Sequence, residues 1–172
     1  LTAIGETVIG PLAIFSHQIK DIKKLPDGSV VTFPSDATNQ ARALKLLASL
    51  GYIQLKANVE FPTPSDVIAN PKNLDLKPLE AVQTARSLDD ATIAIVNNGV
   101  ALDAKLSYHD AIYLEKITAD SKPWINVIVA QKKDQNNPLL EKVVKAYQTK
   151  ATSSDIEKVY EGSTFPVWNY KF

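Results

Sequence analysis

The sequence predicts an α/β fold with mostly parallel sheets, and three observations support this. Short β-rich runs alternate with helical apolar patterns along most of the 172 residues. Two of these runs, residues 92–96 and 125–130, are apolar and β-branched over nearly their whole length, as buried strands are. The intervals between the runs leave room for helices, which is the pattern of a sheet built from alternating strands and helices.

The elements of the first half of the chain are read from apolar periodicity and from the turn and cap residues that bound it. They are strands at residues 12–15, 29–33 and 52–55, a helix that ends at residue 50, and a short helix over residues 67–69. Gly51 suits the position just after a helix. The pair Asn70-Pro71 stops the short helix.

The second half of the chain continues the alternation. The predicted elements are a helix over residues 80–87, the strands at residues 92–96 and 125–130, an amphipathic helix after Pro138, and a last helix from about residue 153 to residue 160. Gly162 follows this last helix and suits its end.

Composition excludes several classes of function. The chain has 19 Lys and Arg residues against 19 Asp and Glu residues and contains no Cys. A balanced charge argues against binding nucleic acid by neutralising phosphates, and against a polybasic membrane patch. Without Cys there can be no disulfide, thiol nucleophile, Cys-ligated zinc or iron–sulfur cluster. No apolar run approaches the ~18–20 residues that cross a membrane as a helix.

Catalytic motifs are missing as well. The two histidines, His17 and His109, lie in no metal-binding pattern, and no glycine-rich phosphate loop or nucleophile motif is present. The motif Ser107-Tyr108-His109-Asp110 collects triad residue types, but adjacent residues cannot take the three spatial roles of a triad. We therefore predict that the protein is not an enzyme and needs no metal or cofactor.

One polar helix start has a physical link to ligand binding. Residues 35–42 follow a strand and open the helix that ends at residue 50. A helix start of this composition places free backbone N–H groups together and attracts anions, and an arginine in its first turns can fork onto a carboxylate. Thr38, Asn39 and Arg42 are therefore expected to bind a ligand. The alternative is that Arg42 is a solvated helix residue.

A second candidate follows the apolar strand at residues 92–96. In open α/β sheets, ligands bind beyond the carboxyl ends of the strands, and Asn97 stands at such an end. Its amide is both donor and acceptor, which suits the head group of an amino acid. The alternative is that Asn97-Asn98-Gly99 is a plain turn.

The same residues carry a resemblance to a known family. Residues 34–44 read P-S-D-A-T-N-Q-A-R-A-L, which resembles the P-N-D-x-T-N-x-x-R-A-L of the NlpA/MetQ family of substrate-binding lipoproteins. Further similar words occur in order at residues 70–74, 79–90, 94–97, 123–129, 144–148 and 166–168. The resemblance covers nearly the whole chain.

The resemblance implies a periplasmic-binding-protein-like fold of type II, with two lobes. Residues 26–117 would form a complete inserted lobe, and residues 1–25 and 118–172 would belong to the first lobe. That first lobe is expected to be incomplete, because family members begin with a further N-terminal stretch. A bare sheet edge would then remain, so a homo-oligomer of this fragment is expected, with residues 12–15 and 125–130 paired near each other.

The resemblance also implies a function. The family provides the extracytoplasmic, lipid-anchored component of ABC importers, which binds methionine, a related amino acid or a short peptide for a permease and its ATPase. By position, Arg42 matches the arginine that grips the ligand carboxylate, and Asn97 matches the asparagine that holds the amino-acid head. Arg42 is then expected to support little of the core. The alternative function is a truncated homologue that acts in surface interaction or adhesion without transport.

Overall fold

A computed structural model of the chain describes residues 1–170. Its strands are β1 (Thr2–Glu6), β2 (Val8–Ile9), β3 (Ala13–Phe15), β4 (Val30–Pro34), β5 (Gln54–Leu55), β6 (Val67–Ala69), β7 (Asp75–Leu79), β8 (Ile93–Val96), β9 (Tyr113–Leu114), β10 (Val127–Ala130) and β11 (Phe165–Pro166). Its α-helices are α1 (Ala37–Ser49), α2 (Ala81–Thr84), α3 (Asn98–Asp103), α4 (Pro138–Tyr147) and α5 (Lys150–Tyr160). The predicted α/β class is confirmed.

The chain divides into two compact units. Unit 2 is Leu12–Glu115, and unit 1 consists of Leu1–Pro11 and the chain from Lys116 onward. This division differs from the predicted lobes at residues 12–25 and 116–117. Residues 12–25 belong to unit 2, in which β3 pairs with two strands of the sheet, and residues 116–117 belong to unit 1. The two-lobed arrangement itself stays a prediction.

Unit 2 is built on a five-stranded sheet in the order β7-β4-β8-β3-β9. β4 is parallel to both β7 and β8, whereas β3 is antiparallel to β8 and β9. The sheet is therefore mixed rather than mostly parallel. The predicted pairing of residues 12–15 near residues 125–130 is wrong, because β10 pairs with β1 instead.

Alternation along the central strands gives this sheet two apolar faces. Ile14 and Ile95 belong to the larger apolar cluster, together with Leu44 and Leu47 of α1. Their neighbours in β3 and β8, among them Phe15, belong to a second cluster. Successive side chains of a strand point to opposite faces, so the core of unit 2 lies on both sides of the sheet.

The short helix predicted over residues 67–69 is wrong. Those residues form β6, which pairs antiparallel with β5. The residues just before them form only the single 3₁₀ turn Pro64–Asp66, with Thr63 N–H donating to Asp66 Oδ2 at 3.0 Å. This bond and a second one from the Thr63 hydroxyl hold the pKa of the Asp66 carboxyl below its ordinary value. The β-branched residues that follow favour a strand over a helix.

Unit 1 contains two strand pairs, β1 with β10 and β2 with β11, both antiparallel. Gly5 pairs with Ile128, and α4 packs against β1 at this point through Val144. Val127 and Val129 alternate with Ile128 along β10, so they point to the opposite face, where they are exposed. An uncovered apolar strand face is the feature from which we expect a homo-oligomer, and that expectation stays a prediction.

Gly5 provides a test of this packing. A Cβ at Gly5 would lie 2.7 Å from Val144 Cγ1. Overpacking of this kind typically costs about 1–3 kcal/mol, so Gly5→Ala should lower the free energy of unfolding by that amount in urea denaturation. The matched control is Gly99→Ala, because nothing lies within 4 Å of a Cβ at that position in α3. Equal midpoints for Gly5→Ala and wild type would contradict the close approach of α4 to β1.

Candidate functional site

The carboxyl ends of three parallel strands meet at one edge of the unit-2 sheet. Because β4, β7 and β8 run in the same direction, α1 after β4 and α3 after β8 both begin at this edge. A backbone hydrogen bond also joins the ends of β4 and β7 here, since Ser35 N–H donates to the Leu79 carbonyl at 2.7 Å. Ligands of open α/β sheets bind outside the carboxyl ends of the strands. This edge is therefore the candidate site.

The polar start of α1 is capped by Asp36. Its Oδ1 accepts the Asn39 backbone N–H at 3.0 Å and the Asn39 side-chain amide at 3.1 Å. Thr38 lies exposed in the same turn. A carboxylate at a helix N-terminus is stabilised by the helix dipole, so Asp36 already supplies the negative charge that this helix start attracts. The roles of Thr38 and Asn39 in ligand binding stay predictions.

Arg42 lies one turn further along α1 and is buried. Its Nε donates to Oε1 of Glu115 at 3.0 Å, and its Nη2 donates to Oε2 at 2.5 Å. The side chains of Arg42 and Glu115 are only 8% and 11% exposed. The alternative that Arg42 is a solvated helix residue is therefore wrong. A two-pronged contact of this kind fixes the plane of the guanidinium.

Tyr108 lies in the electrostatic field of this ion pair. Burial raises the pKa of its phenol above the ordinary value, while the Arg42 charge lowers it and the Glu115 charge raises it further. The Tyr108 ring stands edge-on to Phe15, with the centroids 6.2 Å apart. Tyr108 thus connects the segment after α3 with β3 and with the Arg42–Glu115 pair.

Asn97 carries an unpartnered oxygen. It occupies the N-cap position of α3, but its side chain makes no capping hydrogen bond. Within residues 1–170, its Oδ1 is buried and accepts no hydrogen bond. The alternative of a plain turn at residues 97–99 is wrong, because residues 98–103 form α3. A buried acceptor without a donor costs about 1–3 kcal/mol, and such an atom requires an explanation.

Sequence reasoning found Arg42 and Asn97 but missed Glu115 and Tyr108. Glu115 lies 73 residues from Arg42 in the chain, and nothing in the local pattern marks them as partners. The available signal is only that Glu115 directly follows the strand β9 and ends unit 2. A buried arginine needs a counter-charge, but the sequence offers 19 acidic residues for that role.

The described part of the chain shows no other chemistry of this kind. His17 Nδ1 lies 3.2 Å from Asp89 Oδ1, and both side chains are largely exposed. Residues 1–170 contain no group of His, Cys, Asp and Glu side chains that could hold a metal ion. Among the helices of the same residues, none is long and apolar enough to cross a membrane.

An α/β sheet edge with a buried arginine and an unpartnered amide oxygen is suited to binding a small polar ligand. The chain belongs to the NlpA lipoprotein family, whose model matches residues 1–168. This confirms the family that the sequence resembles.

Three known proteins illustrate the similarity. The D-methionine-binding lipoprotein MetQ of Escherichia coli strain K12 is 39% identical over 172 residues, which are 98% of this chain and 62% of that protein. A nutrient binding protein from Burkholderia cenocepacia, solved bound to methionine, superposes with a TM-score of 0.87 at 37% identity over 96% of this chain and 70% of that one. The substrate binding protein of a methionine transporter from Streptococcus pneumoniae gives a TM-score of 0.85 at 36% identity over 97% and 68%.

These neighbours confirm the periplasmic-binding-protein-like fold class. The relatives are named as binding proteins, one of them as the substrate binding protein of a methionine transporter, which agrees with the prediction that the protein is not an enzyme. The chain spans about 60% of the length of the curated relatives that it matches. The substrate and partners of the whole protein are therefore matters of proposal.

Proposed function

We propose that the protein binds methionine or a closely related amino acid as the substrate-binding component of an ABC importer. The observation that carries this proposal is the unpartnered Oδ1 of Asn97, at the same sheet edge at which the helix of Arg42 begins. An α-amino acid presents an ammonium group and a carboxylate together. The unpartnered oxygen of Asn97 can accept a hydrogen bond from the ammonium, and the buried guanidinium of Arg42 can bind the carboxylate.

The contacts of Arg42 restrict how a ligand carboxylate would approach. Glu115 lies along the Nε–Nη2 edge of the guanidinium. The ligand carboxylate would pair with the guanidinium beside Glu115, and the ligand ammonium would donate to Asn97 Oδ1. Each of these bonds involves a charged group, and such bonds are worth about 1.5–3 kcal/mol.

The transport role rests on the relatives. The chain shares its family with proteins named as lipoproteins and as the binding protein of a methionine transporter. We propose that the whole protein is lipid-anchored outside the cytoplasm, that it consists of two lobes, and that it hands its ligand to a permease with an ATPase.

Calorimetric titration of the whole protein tests the binding function. L-methionine, D-methionine and methionine dipeptides are the probes, and at least one should give a saturable heat. Methioninamide lacks the carboxylate and N-acetylmethionine lacks the ammonium, so each should bind at least about 10-fold more weakly than methionine.

The analogues also separate the two proposed contacts, because each removes the partner of one protein group. Absence of heat with every amino-acid probe would contradict the binding function. That result would favour the alternative of a surface interaction or adhesion protein.

A further inference from the structure

Glu115 makes more contacts than the neutralisation of one arginine requires. Its carboxylate accepts two bonds from Arg42 and a third from the backbone N–H of Leu12, which donates to Oε2 at 2.8 Å. The Glu115 backbone N–H in turn donates to the Leu12 carbonyl at 2.9 Å. One nearly buried carboxylate thus joins α1 to both ends of unit 2.

These ends are the two points at which the chain passes between the units. The crossings lie between Pro11 and Leu12 and between Glu115 and Lys116. Arg42 is therefore held by the residue that ends unit 2, and that residue is hydrogen-bonded to Leu12, which begins it. Holding a long side chain in one orientation before binding reduces the side-chain entropy that is lost when the ligand binds.

We propose that Glu115 is a positioning residue for the ligand carboxylate. It fixes the guanidinium of Arg42 in one orientation, and it ties that orientation to the two chain crossings. This inference rests on the proposed function, because it needs a carboxylate ligand on Arg42.

The three accepted bonds explain why a glutamate is required. Two carboxylate oxygens can accept bonds from Arg42 Nε, Arg42 Nη2 and Leu12 N–H at the same time. A glutamine has only one acceptor oxygen, and its NH₂ group would oppose an N–H donor. Glu115→Gln keeps the size of the side chain but releases at least one prong of the arginine.

The test is a double-mutant cycle on the whole protein, with L-methionine as the calorimetric probe. Glu115→Gln should weaken binding by about 3- to 10-fold. In an Arg42→Ala background the same change should alter the dissociation constant by less than about twofold, because Glu115 then has no arginine to position. Glu60→Gln, at an exposed glutamate of unit 2, is the matched control and should bind like wild type.

Two outcomes would overturn the inference. Unchanged binding by folded Glu115→Gln would mean that Glu115 does not position Arg42 for the ligand, and tighter binding would mean that its negative charge repels the ligand. An equal loss in both backgrounds would mean that Glu115 does not act through Arg42. A wild-type protein that binds no methionine would instead be a failure of the proposed function.

A second variant covers the case in which Glu115→Gln does not fold. Glu115→Asp keeps the negative charge but withdraws the carboxylate by one methylene, so Arg42 keeps its counter-charge and loses its fixed orientation. We expect folded Glu115→Asp to bind L-methionine about 3-fold or more weakly than wild type. Wild-type affinity in this variant would overturn the inference as well.

Discussion

An Arg42→Ala variant of the whole protein should bind L-methionine about 30-fold or more weakly than wild type. The proposed contact is a charge-assisted, partly desolvated pair between the guanidinium and the ligand carboxylate. Removing one member of such a pair costs about 2–5 kcal/mol, because the other charge is left buried and unpaired. The measurement is calorimetric titration well below the melting temperature of the variant.

The same change should also destabilise the fold. The expectation that Arg42 supports little of the core is wrong, because its side chain is 8% exposed and pairs with Glu115. Truncating one partner of a buried ion pair typically costs about 3–5 kcal/mol. Urea denaturation of Arg42→Ala without ligand should therefore show a loss of roughly this size.

Two further variants make the Arg42 experiment specific. Arg42→Lys keeps the charge but lacks the planar fork, so it should recover only part of the affinity and most of the stability. Arg86→Ala removes the other arginine of the chain, which is exposed, and should change neither quantity. A wild-type dissociation constant for Arg42→Ala would show that the ligand carboxylate is held elsewhere.

The parts of the fold that were predicted from sequence are those with a strong local signal. β4 and β8 have nearly continuous apolar sequences, and both are buried between neighbouring strands. α1 has a clear apolar face and a polar cap at Asp36. In these elements, local preference and tertiary environment agree, which is the condition under which sequence patterns are reliable.

The parts that were missed depend on tertiary pairing. β7 contains Asp75, Lys77 and Pro78 and carries no apolar alternation, yet it pairs with β4 along its whole length. It lies at the edge of the sheet, where polar residues and proline are tolerated. β3 was recognised as a strand, but the sheet that it joins could not be read from its sequence.

Some residues of the candidate site are likewise predictable from the sequence, and others are not. Arg42 and Asn97 are predictable because each stands at a fixed offset from the end of a strand, where α/β sheets bind their ligands. Glu115 is not predictable, since its role depends on a contact across 73 residues. The local pattern therefore indicates the candidate ligand residues, whereas the partner that holds Arg42 is visible only in the structure.

Replacing Asn97 by alanine should separate stability from binding. Among residues 1–170, no group donates to the buried Oδ1 of Asn97, so this oxygen contributes a desolvation cost and no compensating bond. Asn97→Ala removes that oxygen. The free energy of unfolding should therefore stay level or rise by up to about 1 kcal/mol, as followed by urea denaturation.

The affinity of Asn97→Ala for L-methionine, by contrast, should fall. The proposed bond from the ligand ammonium to Asn97 Oδ1 involves a charge, and losing it should weaken L-methionine binding by about 10-fold or more. N-acetylmethionine lacks the ammonium, so its affinity should be nearly the same for Asn97→Ala and wild type. Asn136→Ala, at an exposed asparagine, is the control and should leave both quantities unchanged.

The combination of the two measurements is what identifies Asn97 as a ligand group. If Asn97 were purely structural, its truncation would lower the free energy of unfolding of the protein. It would also change the affinities for methionine and N-acetylmethionine by the same factor. A large loss of unfolding free energy with unchanged methionine affinity would therefore refute the assignment. A buried oxygen without a donor requires an explanation, and a ligand ammonium that donates to Asn97 Oδ1 would supply one.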